Sequence, residues 1–473
     1  MPATIVRRRA PPEDPPLPHK IRRFTDSLFF ELPPELKTEI LRYLSDEDVY
    51  TICLISRKLH FLALPVFISR QNGQLIHRSL YLYKPPFKLL RAARVALYVT
   101  ELASFSLTTY APHVPIVETL HELRHMVKMM KYVGVITLDV EIKGGAAEPL
   151  GRLLGTLVGK ACTSLTVRRW DLDAHTVASE EEPEPIPPLT TLQSLDMASC
   201  SLSYLPIRDW LVASINQSNI HSLSLYKVEC APWTGGEALR ALTLPSLAKL
   251  SITELPGLQW VDIAAFLVRH PKIMSLYLKC DAAIPAEAPQ LPHNALPSLS
   301  TLRSSPLYIQ HFLRSPTSLR VLKHVEVDSH LPRVTGDFVV DFADVEDTLV
   351  LLSRHPTITS IGLPLLLNGM ANEWLMNGSS PGKDGGRRDV ERLATHVKTV
   401  KICPTITLTS ATTFALLPRW LALMPAIQHV DLTVVWGLDT TQKTTFLAEL
   451  AAVCPTAETV QIGLERWSLD KFR

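Results

Sequence analysis

The chain has 473 residues, of which 46% are hydrophobic and 20% charged, and a net charge of +2. This is a globular composition with ample core, and the length suggests about three domains unless a repeat array extends one of them. The near-neutral balance points to no nucleic acid and no membrane as partner, and no uninterrupted apolar run reaches the roughly 18 residues of a membrane span.

Residues 1–27 are Pro-rich and charged, which predicts a disordered arm. Charge and proline stand there where a signal peptide needs an apolar stretch, so the expected location is the cytoplasm or the nucleus. Arg7-Arg8-Arg9 and the basic group from Lys20 to Arg23 read as solvated charge clusters, with a weak nuclear address as the alternative. The segment LPPELKTEILRYL, from Leu32 to Leu44, follows. Leu36, Ile40 and Leu44 recur at spacing four, Leu41 and Tyr43 widen the stripe, and Pro33-Pro34 fits a helix start. Ser45, with Asp48 three residues on, resembles a capping box opening a second helix that is apolar nearly all round. A third short segment runs from Leu59 to Phe67. A unit this small rarely buries enough surface alone, so its apolar faces call for the chain behind it and for a second partner.

From about residue 91 the pattern turns repetitive. LPSLAKL (Leu244 to Leu250) returns as LPSLSTL (Leu296 to Leu302), and RHPKIMSLYL (Arg269 to Leu278) returns as RHPTITSIGL (Arg354 to Leu363). The shared unit is an apolar residue, two variable residues, then apolar-x-apolar. Anchoring on the first residue of the closing pair gives Leu138, Leu165, Leu195, Leu223, Leu250, Leu276, Leu302, Val325, Ile361, Val400, Val430 and Val460, with Leu97 as an uneven earlier candidate. Most steps are about 26 to 30 residues, the range of a strand-plus-helix repeat. Helical stretches lie between anchors, among them Asp262 to His270, Glu346 to His355 and Phe446 to Val453. Pro271, Pro356, Pro425 and Pro455 mark helix ends. Glu180 to Pro188 and Asn377 to Asp389 read as exposed loops. The seven cysteines are dispersed, without CxxC, and read as buried reduced thiols rather than as a disulfide or zinc framework.

These repeats resemble leucine-rich repeats. The best match is LQSLDMASCSL, with Leu192, Leu195, Met197, Cys200 and Leu202 in the LxxLxLxxCxL positions; the next unit has Ile220, Leu223, Leu225 and a cysteine displaced to Cys230. The N-terminal unit resembles the F-box through Leu32-Pro33-x-Glu35-Leu36, Ile40, Tyr43-Leu44, Asp48-Val49, Cys53 and Ile55-Ser56-Arg57, with Leu59 where that family commonly has an aromatic residue. The bland alternative is a helix pair capping the repeat array. The resemblances together imply an α/β chain: an F-box at 28–70, then a solenoid at 91–470 with a curved parallel sheet and outer helices. They imply Leu32, Pro33, Glu35, Leu36, Ile40 and Leu44 facing a Skp-type adaptor, and through it a cullin–RING scaffold. The chain would then be the substrate receptor of an SCF-type ubiquitin ligase acting in ubiquitin-dependent degradation, without catalysis, metal or cofactor of its own.

Strand positions alternating with the anchors would meet a protein substrate: Arg168, Asp196, Tyr226, Tyr277, Lys279, Glu326, Lys401 and Asp431. A repeat scaffold without ubiquitination is the alternative. A third reading is a zinc hydrolase through His121, Glu122 and His125, which match HExxH. No histidine follows at metzincin spacing, Glu141 and Glu148 lack a supporting motif, and Leu120, Leu123, Val127 and Met130 form a buried stripe that puts both histidines on the outside. Gly155 to Lys160 lacks a residue between its glycines and has Ala161 where a phosphate loop needs Ser or Thr. His270 and His355 sit at helix ends before proline, where a cation complements the helix dipole, and a structural role is the default reading.

Overall fold

The computed structural model describes residues 31–55, 57–71, 73–83, 87–94, 101–109, 115–172, 185–229, 233–280, 284–285, 287–314, 319–328, 342–364, 374–376, 395–402, 411–433 and 438–473. The arm at 1–27, Leu97, Cys230 and the loop at 377–389 lie outside them.

Among the described residues the first full helices are α1 (Pro34–Tyr43), α2 (Asp46–Ile55) and α3 (Arg57–Arg70). Pro33 sits at the N-cap of α1 as its sequence predicts. Ser45 starts α2: its hydroxyl accepts from the Asp48 N–H at 3.2 Å and donates to the Asp48 carboxylate at 2.6 Å. Arg70, at the end of α3, ties the group together. It donates to the carbonyls of Leu41, Arg42 and Leu44 at the C-terminus of α1 and pairs with Asp46 at 3.1 Å. A guanidinium there satisfies orphan carbonyls and complements the dipole of α1.

Strands and helices then alternate. The elements are β1 (Gly73–Ile76), β2 (Ser79–Tyr83), α4 (Phe87–Arg94), β3 (Glu101–Thr109), α5 (Ile116–Met129), β4 (Tyr132–Lys143), α6 (Ala147–Thr156), β5 (Ser164–Asp171), β6 (Ser194–Ser201), α7 (Leu205–Gln217), β7 (Ser222–Glu229), α8 (Gly235–Ala241) and β8 (Lys249–Thr253). They continue with α9 (Trp260–Arg269), β9 (Ser275–Lys279), β10 (Thr301–Ser304), α10 (Pro306–Leu313), β11 (His324–Val327), α11 (Phe342–Leu352), β12 (Ser360–Leu363), β13 (Thr399–Ile402), α12 (Ala411–Leu421), β14 (His429–Leu432), α13 (Thr440–Val453), β15 (Thr459–Ile462) and β16 (Glu465–Ser468). All sixteen described strands form one sheet in strict chain order. Pairing is parallel from β2 to β15, and an antiparallel hairpin closes each end.

The repeat phase explains the register. Leu165, Leu195, Leu223, Leu250, Leu276, Leu302, Val325, Ile361, Val400, Val430 and Val460 stand opposite one another in a single row. The first residue of each unit, such as Leu192, Ile220, Leu247, Ile273, Leu299, Ile358 and Val397, is buried beneath that row. The first anchor is corrected: Leu165 pairs with Ile136, so Leu138 belongs to the neighbouring row. Both Val133-x-x-Ile136-x-Leu138 and Val135-x-x-Leu138-x-Val140 fit the unit, and only pairing separates them. The row continues upstream through Phe105 to Leu80, which lies ahead of the region read as repetitive.

Arg169, Ser199 and Lys227, in three adjacent strands, and Glu254, just past the end of the fourth, occupy equivalent places and have φ between 49° and 62°. Left-handed backbone is uncommon for such residues, and here it recurs because neighbouring strands share one kink. The kink returns Trp170, Cys200 and Val228 to the buried side. Val228 stands opposite Cys200, so it, rather than Cys230, fills the cysteine position of its unit.

Helix residues and the buried strand rows share one apolar core. Part of the loop ending at Pro188 is docked rather than exposed: Ile186 packs on that core, and the Pro187 carbonyl accepts from Trp210 Nε1 at 3.0 Å. His270 is structural as expected, but not as a cation on the helix dipole. Its ring is buried, Nδ1 bonds the Phe266 carbonyl at 2.7 Å and Nε2 accepts from the Leu244 N–H at 3.0 Å. Burial pushes its pKa down, so it is a neutral peg. The cation at that place is Arg269, which donates to the carbonyls of Leu239, Arg240 and Leu242 at the end of α8. His355 is likewise buried with a lowered pKa, for the same reason first.

Candidate functional site

Two surfaces carry chemistry. The first is the outside of the N-terminal helices. Residues three and four apart share a helix face, and α1 has two such faces. Leu41 is fully buried and Leu44 packs against the core. Leu36, Ile40 and Tyr43 point outward, at 52%, 39% and 83% exposure. The single stripe read from the sequence is therefore split: Leu44 turns inward, while Tyr43 joins the outer face. Leu54 and Ile55 at the end of α2 and Phe61 on α3 are also exposed. Pro33 and Glu35 are exposed and Leu32 is half-buried. Leu54 and Ile55 lay hidden in the sequence because α2 is apolar nearly all round, which leaves its outward side unmarked.

The second surface is the sheet face opposite the helices. Tyr277, Arg303, Glu326, Gly362, Lys401 and Asp431 share one cross-strand row on it. Of the sequence-predicted residues, Tyr277, Lys279, Glu326 and Lys401 come together. Two residues missed in the sequence complete the group. Arg303 bridges Glu326 at 3.1 Å and Asp328 at 3.4 Å, and its guanidinium lies 4.5 Å from the centre of the Tyr277 ring. Asp328 accepts from the Tyr277 hydroxyl and lies 3.7 Å from Lys279 Nζ. Arg303 follows the anchor Leu302, so the alternation that selected the others selects it too. Asp328 lies one residue past β11 and gives no such signal. Burial first, then the bond to Asp328, raises the Tyr277 pKa, so the phenol stays protonated and donates.

Lys401 reaches Glu326 at 2.9 Å although β12 lies between their strands. Gly362 makes that span possible: a Cβ there would meet Glu326 Cγ at 2.7 Å and Cβ at 3.1 Å. Arg168 and Asp196 form a separate pair at 3.4 Å. Tyr226 lies 5.5 Å from Lys227 Nζ, and Asp431 is turned to its own strand end, where it accepts from the Thr433 N–H at 2.8 Å. These pairs are half-exposed, so they orient groups more than they stabilise the fold.

The HExxH residues do not converge. His121 and His125 are exposed, with ring centres 5.3 Å apart, while Glu122 is buried and bonds Arg91 at 3.2 Å. Among the described residues no three His, Cys, Asp or Glu side chains are grouped to hold a metal. Lys160 of the phosphate-loop-like stretch donates to the carbonyls of Lys128 and Met130, at the C-terminus of α5. No described helix is long and apolar enough to cross a membrane.

A family model of the F-box domain matches residues 29–65, the segment that builds α1, α2 and most of α3. The chain thus carries an F-box domain. Domains of this class generally bind Skp-type adaptors in cullin–RING ligases, which implies involvement in substrate recognition by an SCF-type ubiquitin ligase. No curated protein matches the chain.

Proposed function

We propose that this protein is the substrate receptor of an SCF-type ubiquitin ligase, working in the cytoplasm or nucleus without catalysis of its own. The observation that carries the reading is the F-box match at 29–65 coinciding with an uncovered apolar surface at Leu36, Ile40 and Tyr43. Adaptor binding would bury these side chains together with Leu32, Pro33 and the exposed Leu54, Ile55 and Phe61. Glu35 would stand at the polar rim. The strand–helix array is a degenerate leucine-rich-repeat solenoid in this reading, supported by its one-row anchors and its chain-order parallel sheet.

The open sheet face would hold a protein substrate through the Tyr277–Arg303–Glu326–Asp328–Lys401 group, with Lys279, and through Arg168, Asp196, Tyr226 and Asp431. Mixed charge with tyrosines suits a protein surface. The mechanism is proximity, because tethering raises the effective concentration of a target lysine near a charged ubiquitin-conjugating enzyme. Co-purification with the Skp-type adaptor and cullin tests it, comparing the wild type with Leu36→Asp and Ile40→Asp. Wild type should retain both partners and the variants neither. Adaptor without cullin would favour a scaffold outside ubiquitination, and no adaptor would refute the reading.

A further inference from the structure

A cavity of about 240 Å³ lies between α7, α8 and the helix-side face of β6 and β7. Its cause is local. Helix α8 has 7 residues against 13 in α7, so it covers less of the strands behind it. Leu225 and Val228 behind it keep 6% and 5% exposure.

The lining is apolar except at two residues, Arg208 and Glu229. Glu229 is exposed, so water screens it. Arg208 is 8% exposed, its guanidinium stacked 4.3 Å from the centre of the Trp233 ring. Nε and Nη2 both bond one oxygen of Asp209, at 3.1 and 3.0 Å. Nη1 is buried and has no hydrogen-bond partner. A guanidinium cannot shed its charge, and a buried donor left unmade is costly. Asp209 is a 63%-exposed partner using a single oxygen, so its hold on that charge is screened by water.

We propose that this cavity binds a small amphipathic carboxylic acid, its apolar body against Leu211, Val212, Ile215 and Leu225 and its carboxylate accepting from the Arg208 guanidinium. A phosphate dianion fits poorly, because the apolar walls offer no second donor to replace its water. The size suits a short acyl chain: an engineered apolar cavity of about 150 Å³ holds benzene. The site is on the helix side of the sheet, so it is separate from the open-face group and independent of the ligase reading.

Octanoate and octanol, which differ at the head group, test this by saturation-transfer NMR titration of the full chain. The expected result is saturable octanoate binding, with octanol at least about ten-fold weaker, the worth of one charge-assisted hydrogen bond. Arg208→Met should abolish that preference, and Val212→Trp, which fills the cavity, should abolish binding. Should Arg208→Met fail to fold, the wild-type ratio still decides. Octanol binding as well as octanoate, non-saturable octanoate, or unchanged binding in Val212→Trp would each overturn the proposal.

Discussion

Gly362→Ala tests the open-face geometry most sharply. The glycine lies on β12 beneath the Glu326 side chain, which crosses that strand to reach Lys401 at 2.9 Å. An added Cβ would stand 2.7 Å from Glu326 Cγ, 3.1 Å from its Cβ and 3.3 Å from its Cα. The last two atoms are at or next to the backbone of β11 and cannot swing away. Overpacking of this kind costs about 1–3 kcal/mol. Alanine recovers about 0.5–1 kcal/mol through its lower backbone entropy in a strand. The net expectation is a loss of about 1 kcal/mol, read as a lower urea midpoint at unchanged slope. Glu326→Ala removes Cγ, the shortest of the three contacts, so a double-mutant cycle should show Gly362→Ala costing less in that background. A neutral or stabilising single variant, or a cycle additive within about 0.5 kcal/mol, would refute the reasoning.

Other consequences follow from the interior. The His270 pKa is lowered by burial, so the unfolded chain takes up a proton before the folded one does. Stability should be full above the ordinary value of 6.5 and fall as pH drops below it; thermal unfolding at pH 7.5 and 5.5 should show His270→Gln with a shallower decline than wild type. Arg269→Met removes the guanidinium from the end of α8 and should cost about 1–2 kcal/mol in urea unfolding, with Arg269→Lys recovering only part of it. Cys53 and Cys162 are pushed up to about 12 and Cys454 to about 11, all by burial. All three should resist iodoacetamide at pH 8 in the native protein and react after denaturation, as mapped by mass spectrometry.

Much of the sheet was legible because one unit recurs: the anchors from Leu165 to Val460 each fell in the observed row. Leu138 failed because β4 is a 12-residue strand with buried residues at Ile136, Leu138 and Val140, and alternation cannot choose between phases two apart. β3 was within reach, since Leu102-x-x-Phe105-x-Leu107 is the same unit and all three are buried. The open-face group was half legible. Alternation marks which residues leave the core, but neither the reach of Glu326 over Gly362 nor the capture of Tyr277 by Asp328 has a local signature. In the N-terminal unit, spacing found the apolar residues of α1 and left their division undecided, because Leu36 and Leu44 sit only about 80° apart on the helix. Tertiary packing of α1 on α3 draws Leu41 and Leu44 inward.

The most direct test of the central claim is the affinity of the full chain for a purified Skp-type adaptor, measured for wild type and Ile40→Asp with thermal unfolding alongside. Ile40 is 39% exposed, so the substitution should leave the fold intact. The account predicts saturable wild-type binding and at least about ten-fold weaker binding by the variant, some 1.4 kcal/mol, at an unchanged Tm. No wild-type binding, or equal binding by both proteins, would contradict it.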